Sequence, residues 1–145
     1  MMNLDFETVF DPSREVLEAL WHGLDGFNRS VLGSYDYARL AVAVRNEDGD
    51  VIGGLCGDLL WDWLHVQCLW VDEGLRDRGV GTKLVRMAED AAISKGIDNI
   101  HLETTSFQAL DFYLKNGYEV FGQLEGKPAG HTWYYLKKEN IGGGR

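Results

Sequence analysis

Cross-links and rigid breakers are scarce in this sequence, with two cysteines and two prolines among 145 residues. Cys56 and Cys68 make neither a metal-binding spacing nor a disulfide framework. They read as half-buried thiols in a reducing compartment. Long apolar runs are missing too, and none approaches the ~20 residues of a membrane-spanning helix. The opening Met1-Met2-Asn3-Leu4-Asp5-Phe6-Glu7 has neither the basic nor the apolar stretch of a secretory signal, so a cytoplasmic protein is expected. Positive charge is in short supply, with 14 Lys and Arg against 23 Asp and Glu and a net charge of -9. Such a surface repels phosphate backbones and anionic lipid, which argues against nucleic acid or membrane partners.

What is present is the mix of a soluble globular protein, 45% hydrophobic and 26% charged. A single domain over 1–140 is expected, with a frayed Gly-rich tail at 141–145. Residues 3–10 alternate loosely and predict a first strand. Asp11-Pro12 then supplies a cap and a proline for a helix whose apolar residues are Val16, Leu17, Leu20, Trp21 and Leu24. Strands are expected over 37–46, 51–60 and 63–71, joined by the turns at Gly49 and at Trp61-Asp62. Val80, Leu84, Val85, Ala88, Ala91 and Ala92 mark one face of a helix ending at Gly96. A strand at 100–104, a short helix at 107–115 and two strands at 118–124 and 131–137 complete the chain. The order predicts a mixed α/β fold with about seven strands. The unit from Trp63 to Thr104 should be a parallel crossover and the rest antiparallel.

The basic residues cluster where the chain passes from strand to helix. Residues 74–86 carry Arg76, Arg78, Lys83 and Arg86 against Asp77 alone. Backbone N–H groups at a helix start lack internal partners, and glycines admit a ligand close to them. The loop Arg76-Asp77-Arg78-Gly79-Val80-Gly81-Thr82 therefore suits a phosphate-bearing ligand. A dinucleotide fingerprint would need glycine at position 84, which is leucine, and a P-loop would need lysine directly after a glycine.

Arg76, Gly79 and Gly81 fit the pattern Arg/Gln-x-x-Gly-x-Gly/Ala, the acetyl-CoA signature of the GCN5-related N-acetyltransferase (GNAT) family. Ser106-Phe107-Gln108-Ala109-Leu110-Asp111-Phe112-Tyr113 through Gly117-Tyr118 resembles that family's second motif, with serine where asparagine is usual. The resemblance covers nearly the whole chain in order. It implies the acyl-CoA N-acyltransferase fold, a mostly antiparallel sheet flanked by helices, and acetyl-CoA as cosubstrate.

The resemblance also implies roles for residues. Amides of Arg76, Asp77, Arg78, Gly79, Val80, Gly81 and Thr82 would hold the pyrophosphate. Leu69, Trp70 and Val71 would pair with the pantetheine arm, with Ser106, Ala109 and Phe112 beside it. The Leu69 amide would stabilise the oxyanion. Tyr113 aligns with the general acid. His65, on the same facing as residues 67 and 69, or Glu103, or water, would take the amine's proton. Trp21, Trp61, Asp62 and Trp63 would line the acceptor side, and Asp58 could receive a cation. His22, His101 and His131 have no metal-ligand spacing, so no metal is expected. The implied activity is acetyl transfer to a small-molecule amine. A protein amine as acceptor and a non-catalytic acyl-CoA-binding module are the alternatives. The final hairpin could pair two chains into a homodimer.

Overall fold

The computed structural model describes residues 2–143. The chain divides into two compact units, one ending at Tyr35 and the other starting at Asp36. The first holds one helix, α1 (Arg14–Leu32). Ser13, not Asp11, is its N-cap, with the hydroxyl accepting from the Val16 amide at 3.3 Å. A cap needs extended backbone, which Ser13 has (φ -64, ψ 157) and Asp11 (φ 52) does not. Within α1, Asp25 is hydrogen-bonded to Tyr35 and Arg29, which holds its carboxyl below the usual range. The expected strand at 3–10 does not form. Apolar alternation says which face a strand would bury but supplies no ladder partner, and Phe6 and Phe10 are exposed.

The second unit is a six-stranded sheet, one strand fewer than expected. Its strands are β1 (Tyr37–Arg45), β2 (Val51–Leu60), β3 (Trp63–Val71), β4 (Asn99–Thr105), β5 (Glu119–Glu125) and β6 (Thr132–Lys138). Spatial order is β1-β2-β3-β4-β6-β5. Only β3 and β4 run parallel, joined across the helix α2 (Val80–Ser94). The short helix α3 (Leu110–Lys115) starts later than the expected 107. Leu64, Ile100, Leu102 and Leu136 project from one sheet face and are fully buried, with Leu84, Val85, Ala88 and Ala92 of α2 in the same cluster. Each such leucine or isoleucine contributes about 2 kcal/mol.

The tail also needs correction. Ile141 is buried, and its N–H donates to the Asp98 carbonyl at 2.9 Å, so the chain is anchored at least that far. Gly144 and Arg145 lie outside the described residues. No helix among the described residues is long and apolar enough to cross a membrane. β5 is an edge strand whose register breaks at Phe121, a bulge of the kind that blunts edge-to-edge pairing.

Candidate active site

Two features of the sheet create the site. The first is a divergence. β3 and β4 pair only from Trp63 with Asn99 to Val66 with Leu102. Beyond that, β3 stays with β2 as far as Val71, and β4 stays with β6 as far as Thr105. A gap therefore opens between the C-terminal halves of two adjacent strands. The second is a bulge. Cys56 pairs with Cys68 and Gly57 with Val66, so Gln67 is an extra residue on β3. The bulge reverses the facing of the residues beyond it. His65 lies on the face of its partner Asp58, whereas Leu69 lies with Leu55 on the core face. The expected common facing of 65, 67 and 69 is thus wrong.

The gap continues into a groove of about 820 Å³. Leu69, Trp70 and Val71 form one side, and Ser106, Ala109 and Phe112 the other. Arg76, Asp77, Gly79, Val80, Gly81 and Thr82 lie at the start of α2. Gln108, Leu110 and Asp111 line it as well and were not anticipated. Arg78 does not line it, and Arg86 lines a separate hollow with Gly117 and Glu119. Arg76 is therefore the one basic side chain in a lining that also holds Asp77 and Asp111, and the attraction for an anion falls to backbone. Gly79 caps α2 in the left-handed conformation (φ +74) with no side-chain cap bond, so the first amides of the helix are left for a ligand. At Gly81 a Cβ would come within 3.1 Å of the Phe112 ring, which is why that position is bare. The Arg76 Nε donates to the Val71 carbonyl at 3.3 Å and ties the loop to the strand end.

Tyr113 does not line the groove. Its ring sits between Phe112 and Tyr118, at centroid distances of 5.2 and 5.5 Å, and is 4% exposed. Burial, and secondarily the charge of Cys68, push its hydroxyl well above the usual tyrosine range. Ser106 is committed elsewhere. Its Oγ accepts from the Thr132 amide at 3.1 Å and lies 3.3 Å from His131 Nδ1.

On the opposite sheet face a second hollow of about 580 Å³ is lined by Tyr37, Asp58, Leu60, Trp61, Trp63, His65, His101, Phe121 and Lys137. Asp58 accepts from Tyr37 Oη at 2.8 Å and from Gln67 Nε2 at 2.5 Å. His65 Nε2 and Glu103 Oε2 are 2.8 Å apart, so Glu103 stands directly behind the hollow. Trp61 and Asp62 both have positive φ (49 and 70) at the β2–β3 turn. Asp62 itself is not in the lining, and Trp21 belongs to α1 of the other unit. Nothing in the sequence around His101 marks it as part of this hollow, which it lines. It stacks on His65 with centroids 4.4 Å apart, and burial, then His65, lowers its pKa below the usual value. Cys56 and Cys68 approach to 3.0 Å between sulfurs, and Cys68 is exposed rather than half-buried.

A sheet that opens between two parallel strands onto an uncapped helix start defines a class, the acyl-CoA N-acyltransferase fold. The profile of the acetyltransferase (GNAT) family matches residues 8–118. The chain is 33% identical to an acetyltransferase of Agrobacterium fabrum over 137 residues, 94% of this chain and 98% of that one. A blasticidin-S acetyltransferase of Streptomyces morookaense is 42% identical over 94 residues, 64% of this chain and 69% of the relative. The crystal structure of an acetyltransferase from Bacillus cereus superposes with a TM-score of 0.81 at 32% identity, covering 92% of this chain and 97% of that one. The chain belongs to the GNAT acetyltransferase family.

Proposed function

We propose that this acetyltransferase takes acetyl-CoA as its donor and acetylates a primary amine of a small, cationic molecule. The observation that carries the reading is the groove that runs from the β3–β4 gap to the free amides of Gly79 to Thr82. A pyrophosphate suits those amides and the positive end of the α2 dipole. The extended pantetheine arm suits the gap, where Leu69 to Val71 offer a strand edge on the β4 side. Thr105 Oγ1 and Trp133 Nε1, register partners at the end of β4, are buried and have no hydrogen-bond partner among the described residues. Neither residue lines the groove or the hollow, so they are left outside the assignment. Relatives add support, since family members include a blasticidin-S acetyltransferase.

The acceptor is assigned to the hollow on the His65 face. Trp61, Trp63 and Tyr37 present aromatic surface there, and Asp58 supplies a negative charge. In the transfer, the amine nitrogen forms a bond to the thioester carbonyl carbon and the carbon–sulfur bond breaks. The Leu69 amide is assigned to the carbonyl oxygen as negative charge develops there. Glu103 as hydrogen-bond acceptor fixes the proton of His65 on Nε2, which leaves Nδ1 as the base for the amine proton. Tyr113 returns a proton to the departing sulfur.

The test is calorimetric titration of acetyl-CoA into wild type, Gly79→Asn and Gly79→Glu. Asparagine tolerates positive φ and adds no charge, so that variant should bind within about tenfold of wild type. Glutamate brings strain and a like charge to the pyrophosphate position and should abolish binding. Equal affinities for all three proteins, or no wild-type binding at millimolar ligand, would overturn the assignment of the groove.

A further inference from the structure

The face that carries His65 holds a three-residue donor cluster, of which the proposed transfer uses His65 and Glu103 and leaves His101 without a role. His65 and His101 are register partners across the parallel β3–β4 pair, so their side chains emerge side by side. Glu103 follows two residues after His101 and projects from the same face. The two imidazoles stack 4.4 Å apart with their planes 5° from parallel, and the Glu103 carboxylate reaches His65 at 2.8 Å. One ligand atom from each of the three residues lies within 4.8 Å of the other two. Among the described residues no hydrogen bond engages the His101 ring, whose neighbours are His65 and the edge of Trp63.

We propose that His65, His101 and Glu103 form a binding site for a zinc-class divalent cation, with its fourth coordination position open to the adjoining hollow. Two imidazoles and one carboxylate are a donor set that suits zinc and does not suit calcium or magnesium, which need six or more oxygens. Zinc takes such donors at ~2.0–2.2 Å, so the three atoms must close to roughly 3.3 Å of one another. The strands need not move for this. Stacked rings cannot both aim their lone pairs at one ion, and a turn of His101 about χ2, a soft torsion, brings its nitrogen inward. His65 and His101 line the hollow, which supplies room for that turn and for the fourth ligand. Zinc held on His65 Nε2 beside Glu103 would leave the ring proton on Nδ1, the atom assigned as base for the amine, and so inhibit acetylation. That consequence rests on the function proposed above; the site itself does not.

The experiment is calorimetric titration of zinc chloride into chelator-treated full-length protein, with no acetyl-CoA present. One saturable site per chain is expected. His101→Ala and Glu103→Gln should each weaken it by more than about tenfold. The double variant Cys56→Ser/Cys68→Ser should bind as wild type, which separates this cluster from the two thiols 3.0 Å apart. Thermal unfolding confirms that each variant is folded, and either single variant suffices if the other is not. Absence of saturable binding would overturn the proposal. So would affinity that is lost in the thiol variant and kept in His101→Ala. Because no acyl donor is present, a zinc site that fails and a transferase assignment that fails are read from separate experiments.

Discussion

Burial of the Tyr113 hydroxyl disfavours its ionised form, and Cys68 adds a weaker push in the same direction. The group is therefore reliably protonated at neutral pH, which a general acid requires. Its raised pKa also widens the gap to an ordinary thiol near 8.5, so proton donation must be coupled to charge building on a sulfur that is itself desolvated. Tyr113→Phe keeps the ring between Phe112 and Tyr118 and removes only the hydroxyl proposed as the acid. Turnover should fall by about 100-fold while acetyl-CoA affinity stays within about twofold, as steady-state kinetics and calorimetry will show. Trp61 presents the opposite kind of residue, one held in an unfavourable conformation at the rim of a hollow. A bulky side chain at φ 49 costs of order 1 kcal/mol. Trp61→Gly relieves that strain but frees the unfolded chain and loses the contacts of a half-covered indole, so stability in urea unfolding should change by no more than about 1 kcal/mol while KM for the amine rises several-fold. An unchanged KM would remove Trp61 from the proposed acceptor site.

At the scale of an element, β3 is the part that organises the site. The bulge at Gln67 lets one strand present His65 to the hollow lined by Trp61 and Trp63, and Leu69 and Val71 to the core face. Deleting Gln67 would restore simple alternation and turn both apolar side chains to the wrong face. The expected cost is roughly 3 kcal/mol or more, and acetyl-CoA binding should be lost with it. Deletion without either effect would show that the bulge is incidental. Nothing in Trp63-Leu64-His65-Val66-Gln67-Cys68-Leu69 marks the extra residue. Read from sequence, the alternation runs straight through it, and that is why His65 and Leu69 are expected on one face. The bulge falls where β3 loses β4 as a partner after Val66 and keeps β2 alone. The Gly79–Thr82 loop is the contrary case, legible from its residues because its backbone geometry is local: a left-handed glycine at a helix start.

At the scale of the whole molecule, one buried charge ties together parts far apart in the chain. Glu89 of α2 is fully buried and accepts from Tyr118 Oη at 3.0 Å and from Lys138 Nζ of β6 at 3.1 Å. Lys138 also donates to the Asn116 carbonyl at the end of α3, at 2.9 Å. The Tyr118 hydroxyl is pushed up by burial and then by Glu89. Lys138→Met would leave the Glu89 carboxylate buried without its cation, and should destabilise the protein by about 3 kcal/mol in denaturant titration. The double variant Glu89→Leu/Lys138→Met should recover most of that loss, because it removes the buried carboxylate along with the lysine.

Local signals in the chain were enough for the helices α1 and α2, the β1–β2–β3 meander, the parallel crossover and the glycine loop at the start of α2. Each is written in periodicity, turn residues or caps, and these act over a few neighbouring positions. Tertiary structure decided what depends on distant partners. Residues 3–10 alternate as a strand does and find no ladder. Ile141 sits in a Gly-rich tail and is anchored by Asp98. His65, His101 and Glu103 show no ligand spacing along the chain, because a parallel pairing brings together residues separated by a whole crossover. Side-chain proximity across strands is set by register, and register is a property of the folded sheet.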